Sequence, residues 1–251
     1  MSTNLDVQRF LNKLDECFNR NDMRGARECI SFWENEARQT GDERALLTIL
    51  NEAVGVYRRT QKKGKALNAM QEAIDLVEKI GLSDTLSGST VYINAATTLS
   101  FLGEEEKSLA LYDKAARCYI SNEKTQTYEY ATLLNNKAGA LNSLKRYDEA
   151  EACWKEAVEI LKAEGKHDGE IAISLIMLAH LTYDRDDTAI DATEALIDEA
   201  WDFLNSERLI KDGNYAYVLR KCAPSFDYFQ RPIEAQALRD VAKEIYESNR
   251  Q

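Results

Sequence analysis

Slid back by 42 residues, the stretch 130–160, "YATLLNNKAGALNSLKRYDEAEACWKEAVEI", overlies "STVYINAATTLSFLGEEEKSLALYDKAARCYI". A second shift of 42 brings it onto "LLTILNEAVGVYRRTQKKGKALNAMQEAIDLV". The matches are positional. Leu50, Tyr92 and Leu134 coincide, then Val54, Ala96 and Ala138, then Tyr57, Leu99 and Leu141, an apolar stripe at i, i+4, i+7. Beyond a short polar turn, Ala66, Ser108 and Ala150 coincide, followed by Met70, Tyr112 and Trp154, and by Ala73, Ala115 and Ala157. Each copy therefore reads as two antiparallel amphipathic helices. The short side chains of Ala138 and Ala150 let the two backbones approach, and Trp154 and its equivalents fill the space between neighbouring hairpins. A unit of this size cannot bury its apolar face alone, so it must stack on copies of itself.

Weaker copies extend the pattern. Residues 4–38 place Phe10, Leu14, Ala26, Ile30 and Trp33 in the same roles, and residues 168–207 place Leu175, Ala179, Ile197 and Ala200, with a turn, "TYDRDD", about two residues longer. Residues 213–248 match at a shift of 85, "YAYVLRKCAP" over "YATLLNNKAG" and "RPIEA" over "RYDEA". With the stronger copies at about 44–80, 87–121 and 128–163, the expectation is all-α: six hairpins and twelve helices in one domain spanning 1–251. Eleven glycines and two prolines are too few for the turns of an all-β chain of 251 residues. In the last helix Leu238, Val241, Ala242 and Ile245 form one apolar face, with Gln236, Asp240 and Glu244 toward solvent. Pro224 falls inside a predicted helix and is expected to kink it or end it early.

Helical hairpins with small residues at the crossings, and "YDEAEACWKEAVEI" in the second helix, resemble tetratricopeptide repeats. Those are usually 34 residues long; the eight extra residues here amount to about one turn on each helix. The 42-residue form, "YATLLNNKAGAL" followed by "RYDEAEACWKEAVEI", is similar to the repeats of kinesin light chains and related bacterial arrays, specifically over 128–182 and diffusely elsewhere. Lys137 departs from the family's apolar preference at its position, the proline between repeats is absent, and no coiled-coil heptads are present. The resemblance implies a right-handed superhelical solenoid whose first helices line a concave groove. In such arrays groove asparagines hold the backbone of an extended peptide.

That implication bears on Asn135 and Asn136, adjacent in mid-helix, where together they cost about 1 kcal/mol relative to two alanines. An amide side chain carries a donor and an acceptor and so can pair with a peptide's C=O and N–H together. Asn136 aligns with Asn94 and Asn12, and Asn135 aligns with Asn51. Thr48, Thr90 and Thr132 form a second row one turn earlier. In the fifth hairpin the pair becomes Ile176-Met177 and in the sixth Arg220-Lys221. Arg58, Arg59, Arg220 and Lys221 would place basic spots on the same face, suited to a ligand carrying carboxylates. Against this stands the plainer reading, in which these are solvated residues on exposed helix faces.

A net charge of −11 disfavours nucleic acid and anionic membranes as partners. The basic run "YRRTQKKGK" at 57–65 reads as a solvated turn between helices. The N-terminal residues show no basic start followed by an apolar run, and no apolar stretch approaches the ~18 residues of a membrane span. The five scattered cysteines, Cys17, Cys29, Cys118, Cys153 and Cys222, read as reduced, mostly buried thiols of a cytoplasmic protein. Neither His167 nor His180 has the spaced partners of a metal site, and "DRDDTAIDATE" lacks the glycine and terminal glutamate of a calcium loop. No phosphate loop or nucleophile elbow is present. The chain is therefore expected to be a non-catalytic scaffold without cofactor or metal, holding an extended segment of a protein or peptide partner. The alternatives are a regulator that senses a signalling peptide, and a module that assembles with copies of itself.

Overall fold

The structure, a computed structural model, describes residues 5–249; residue 4, the expected start of the first hairpin, lies outside them. Among these residues the chain forms twelve α-helices and no strand. They are α1 (Val7–Asn19), α2 (Met23–Thr40), α3 (Glu43–Arg59), α4 (Lys63–Lys79), α5 (Leu86–Phe101) and α6 (Glu105–Ser121), then α7 (Tyr128–Ser143), α8 (Tyr147–Glu164), α9 (Asp168–Arg185), α10 (Ile190–Leu204), α11 (Gly213–Tyr228) and α12 (Pro232–Ser248). Consecutive helices pair as antiparallel hairpins. The first three hairpins form one compact unit and the last three another, divided between Glu123 and Lys124.

The hairpins close by one mechanism. Five of the six turns have three residues, and the central one is left-handed: Asn21, Gln61, Gly103, Lys145 and Gln230. That conformation lets the next N–H reach back over the helix end. Asp22, Lys62, Glu104, Arg146 and Arg231 donate to the carbonyls of Cys17, Tyr57, Leu99, Leu141 and Phe226 at 2.8–2.9 Å, a Schellman closure in each of these five copies. Five of the six first helices, all but α9, begin on a side-chain cap. Asp6, Asp42, Thr85, Thr127 and Asp212 each accept from the backbone N–H three residues on, satisfying a donor that the helix leaves unpaired.

The repeat positions form the core. Ala138, Ala150 and Ala157 are fully buried, and Met70, Tyr112 and Trp154 are all at most 7% exposed. In the outer hairpins Phe10, Leu14, Ala26 and Ile30 are buried, with Trp33 half-exposed, and Leu175, Ala179, Ile197 and Ala200 are buried. Leu238, Ala242 and Ile245 of α12 face inward and Val241 is half-exposed, while Gln236, Asp240 and Glu244 are exposed. Gly88 serves a close approach, since a Cβ there would lie 2.1 Å from the carbonyl oxygen of Leu82.

Three sequence expectations need correction. Helix α11 does not stop at Pro224 but continues to Tyr228; Pro224 is exposed, so the carbonyl whose helical bond it removes can turn toward water. In the fifth hairpin Thr182–Arg185 of "TYDRDD" are helical, and the turn is the four residues 186–189, none at positive φ. The cysteines are free thiols, but only Cys118 and Cys222 are buried; the other three are half-exposed.

Candidate functional site

The asparagines sit on first helices, and several face the next first helix rather than solvent alone. In the first unit α3 packs directly against α5. There the amide nitrogen of Asn94 donates to Asn51 Oδ1 at 2.8 Å. One turn along the same seam, Arg58 Nη1 donates to Thr98 Oγ1 at 3.0 Å and lies 3.4 Å from the carbonyl oxygen of Asn94. Thr98 in turn donates to that carbonyl at 2.9 Å. Arg58 is thus a bridge between hairpins, and its charge is directed into the seam.

In the second unit the corresponding bridge changes chemistry. Ser174 Oγ, buried on α9, donates to Asn135 Oδ1 of α7 at 2.8 Å and to the carbonyl of Glu170. Between α9 and α11 the polar link is His180 Nε2 with Ser225 Oγ at 3.0 Å. Burial pushes His180 below the ordinary imidazole range, with nearby Asp184 opposing the shift. Ile176 is buried and Met177 half-exposed, so the sequence's apolar step is packing between hairpins. His167 stacks on Tyr128 with ring centroids 4.2 Å apart and pairs with Glu164 at 2.9 Å.

Asn136 differs from its neighbour. It is half-exposed, and its amide has no hydrogen-bond partner among the described residues. Asn12, exposed on α1, accepts from Gln8 at 2.9 Å within its own helix. Arg220 and Lys221 are exposed on α11. The threonine row is partly consumed locally: Thr48 and Thr90 donate to the carbonyls of Arg44 and Leu86. The structure therefore joins Asn51 with Asn94 and Arg58, joins Asn135 with Ser174, and leaves Asn12, Asn136, Arg220 and Lys221 outside those bridges.

One residue escapes a reading by residue type. Glu52 holds the position of Asn94 and Asn136 in the preceding copy, at the same 42-residue spacing. Burial raises its carboxyl above the usual carboxylate range and Asp15 adds repulsion, while Arg59 and a hydrogen bond from Asn51 pull the other way. The spacing alone would have found it.

A tetratricopeptide repeat family model matches residues 129–192, about a quarter of the chain. No curated protein matches the sequence. Among solved structures, BtubC (BKLC) from P. vanneervenii superimposes with a TM-score of 0.58 at 17% identity, over 98% of this chain and 92% of that one. The nearly identical TPR-like repeats of a kinesin-light-chain-like protein from Podosopora anserina give 0.56 at 14% identity, over 79% of this chain and 94% of that one. A Rap protein complexed with competence and sporulation factor gives 0.54 at 17% identity, over 96% of this chain and 73% of that one. At these identities the likeness concerns the fold. The fold is an all-α array of tetratricopeptide-like hairpins, similar to kinesin-light-chain-like repeats.

Proposed function

We propose that this chain is a non-catalytic scaffold whose first helices hold extended segments of a partner protein by their backbone. The observation that carries the reading is Asn136: a half-exposed amide in mid-helix, with donor and acceptor both unused by the described residues, at a position where the repeat places amides. Asn94 adds an unshared side-chain oxygen, and Asn135 an unshared amino group, because each spends only one end of its amide on the neighbouring helix. Asn12 completes the set in the first unit, where Asn51 and Arg58 hold Asn94 in place from the seam, and Arg220 and Lys221 complete it in the second. Amide pairing reads backbone and is tolerant of the partner's side chains. The acidic chain, at −11, disfavours nucleic acid as that partner.

Asn136→Ala tests this cleanly, because the amide has no internal bond to lose. The variant is expected to keep or slightly raise its melting temperature while losing partners captured from the native cell's lysate by the wild type. Equal capture by both proteins would remove the clamp.

A second reading rests on one comparison. The Rap protein of similar fold was solved with a competence and sporulation factor bound, which favours a short signalling peptide as the occupant here. We also place the chain in a reducing, cytoplasmic setting, supported by five free thiols. Among the described residues no helix is long and apolar enough to cross a membrane. Reading 1–251 as one domain is likewise our proposal, and a single unfolding transition would support it. Self-assembly would show instead as a concentration-dependent mass.

A further inference from the structure

A cavity in the second unit has a composition that the repeat does not explain. It lies where the end of α9, the start of α10 and the end of α11 converge, has a volume of about 340 Å³, and is lined by Tyr183, Ile190, Glu194, Tyr228 and Phe229 among others. Its three rings are mutually perpendicular. Tyr183 meets Tyr228 at 89° and 6.0 Å, Tyr183 meets Phe229 at 88° and 6.1 Å, and Tyr228 meets Phe229 at 89° and 5.0 Å. Three planes at right angles form the corner of a box. His180 backs that corner, packed on Tyr228 at 4.9 Å and Phe229 at 4.7 Å and tied by Ser225.

The electrostatics of the corner favour a cation. Ring faces carry the negative lobe of the aromatic quadrupole. Tyr183 and Tyr228 stand in the last turns of α9 and α11, so two negative helix ends converge against the single positive end of α10. Asp184 and Asp191, adjoining Tyr183 and Ile190 in sequence, have no ion pair among the described residues. Arg185 in the same run is drawn away to Asp148 and Glu151. One cation is nearby: Arg231 pairs with Glu194 and with Asp198, which neutralises the carboxylate in the wall and leaves the ring corner unfilled. A hydrated metal ion would meet mostly apolar ring surface here, whereas an alkylated ammonium offers both charge and apolar contact.

We infer that this corner binds an alkylated ammonium group, with charge on the rings and methyl groups against Ile190. The inference is independent of the amide clamp, which lies on other residues. The full chain is titrated with choline, with a peptide carrying trimethyllysine, and with 3,3-dimethylbutanol, the neutral isostere of choline, while the resonances of Tyr183, Tyr228 and Phe229 are followed by NMR. Binding of either ammonium probe about tenfold or more tighter than the isostere supports the site. If the peptide alone binds, the group is a protein side chain; if choline alone binds, it is a free amine. Tyr228→Leu, at a ring 50% exposed, should keep the circular dichroism of the wild type and lose about tenfold in affinity. Equal binding of the isostere, no response to either ammonium, or unchanged affinity in a folded Tyr228→Leu each overturns the proposal.

Discussion

Within each unit, successive hairpins pack mainly second helix on next first helix, and side-chain links add two flanking seams of different chemistry. Between first helices the links are neutral or directed inward: Asn94 to Asn51, Ser174 to Asn135, His180 to Ser225, with Arg58 on Thr98. Between second helices they are ion pairs: Arg38 of α2 with Glu72 of α4 at 2.6 Å, Glu78 of α4 with Lys114 of α6 at 3.9 Å, and Lys162 of α8 with Glu199 of α10 at 2.5 Å. The ion pairs are exposed, so water and salt weaken them. The amide links are part-buried and short in reach, so they fix the lateral register of one helix against the next. The same spacing of hairpins is therefore held tightly on one face and loosely on the other.

The core common to both seams sets the largest effect. Trp154→Ala should lower stability by about 3–5 kcal/mol, measured by denaturant titration. Met70→Ala at the equivalent site should cost less, about 2 kcal/mol or more, because it empties a smaller volume. A tryptophan variant with wild-type melting would mean the stack does not depend on this position.

Next comes the contrast within the amide seam. Asn94→Ala strands the part-buried Asn51 oxygen, at about 1–3 kcal/mol, against roughly 0.6 kcal/mol regained in helix propensity. Asn136→Ala strands nothing and should gain about 0.6 kcal/mol. Opposite signs in the two melting shifts are the expected result; the same sign would erase the distinction between bridging and unshared amides.

Glu52 supplies the pH test. Its folded carboxyl titrates above the unfolded one, so stability associated with its neutral form is lost as pH rises through the folded value. Glu52→Gln should therefore stabilise the protein at neutral pH, with the advantage gone below about pH 4, under the unfolded carboxyl's value. An advantage independent of pH would point to packing instead.

The smallest effect belongs to the second-helix seam. Arg38→Ala should cost about 0.2–1 kcal/mol at low salt and less at high salt, while the Asn94→Ala penalty should be insensitive to salt. A salt response shared by both would show that the seams are not chemically distinct.

The repeat made the hairpins legible because apolar burial depends on residue type and period alone: Ala138, Ala150 and Trp154 are where the 42-residue shift puts them. The candidate site was half legible. Period located Asn51, Asn94, Asn135 and Asn136, but which amide meets which depends on how far α5 slides along α3, and that is set by packing. Glu52 stood in the register and was hidden by its charge. The left-handed turns were invisible for a related reason: Gln61 and Lys145 are ordinary residues by type, and the Schellman bonds around them hold the conformation. Pro224 did not end its helix because a helix tolerates a missing bond on its solvent side.

The fifth hairpin, with its four-residue turn, is in crystallographic terms a stacking fault. In a faultless stack the lining of each hollow is set by the repeat, since every copy meets the next in the same way. Where the sequence inserts a residue, the hollow is bounded by side chains that the repeat does not specify. Substitutions there are released from the constraint that binds every other copy, because no neighbour has to match them. Individuality in such an array should therefore collect at its irregularities, while the regular copies remain interchangeable in kind.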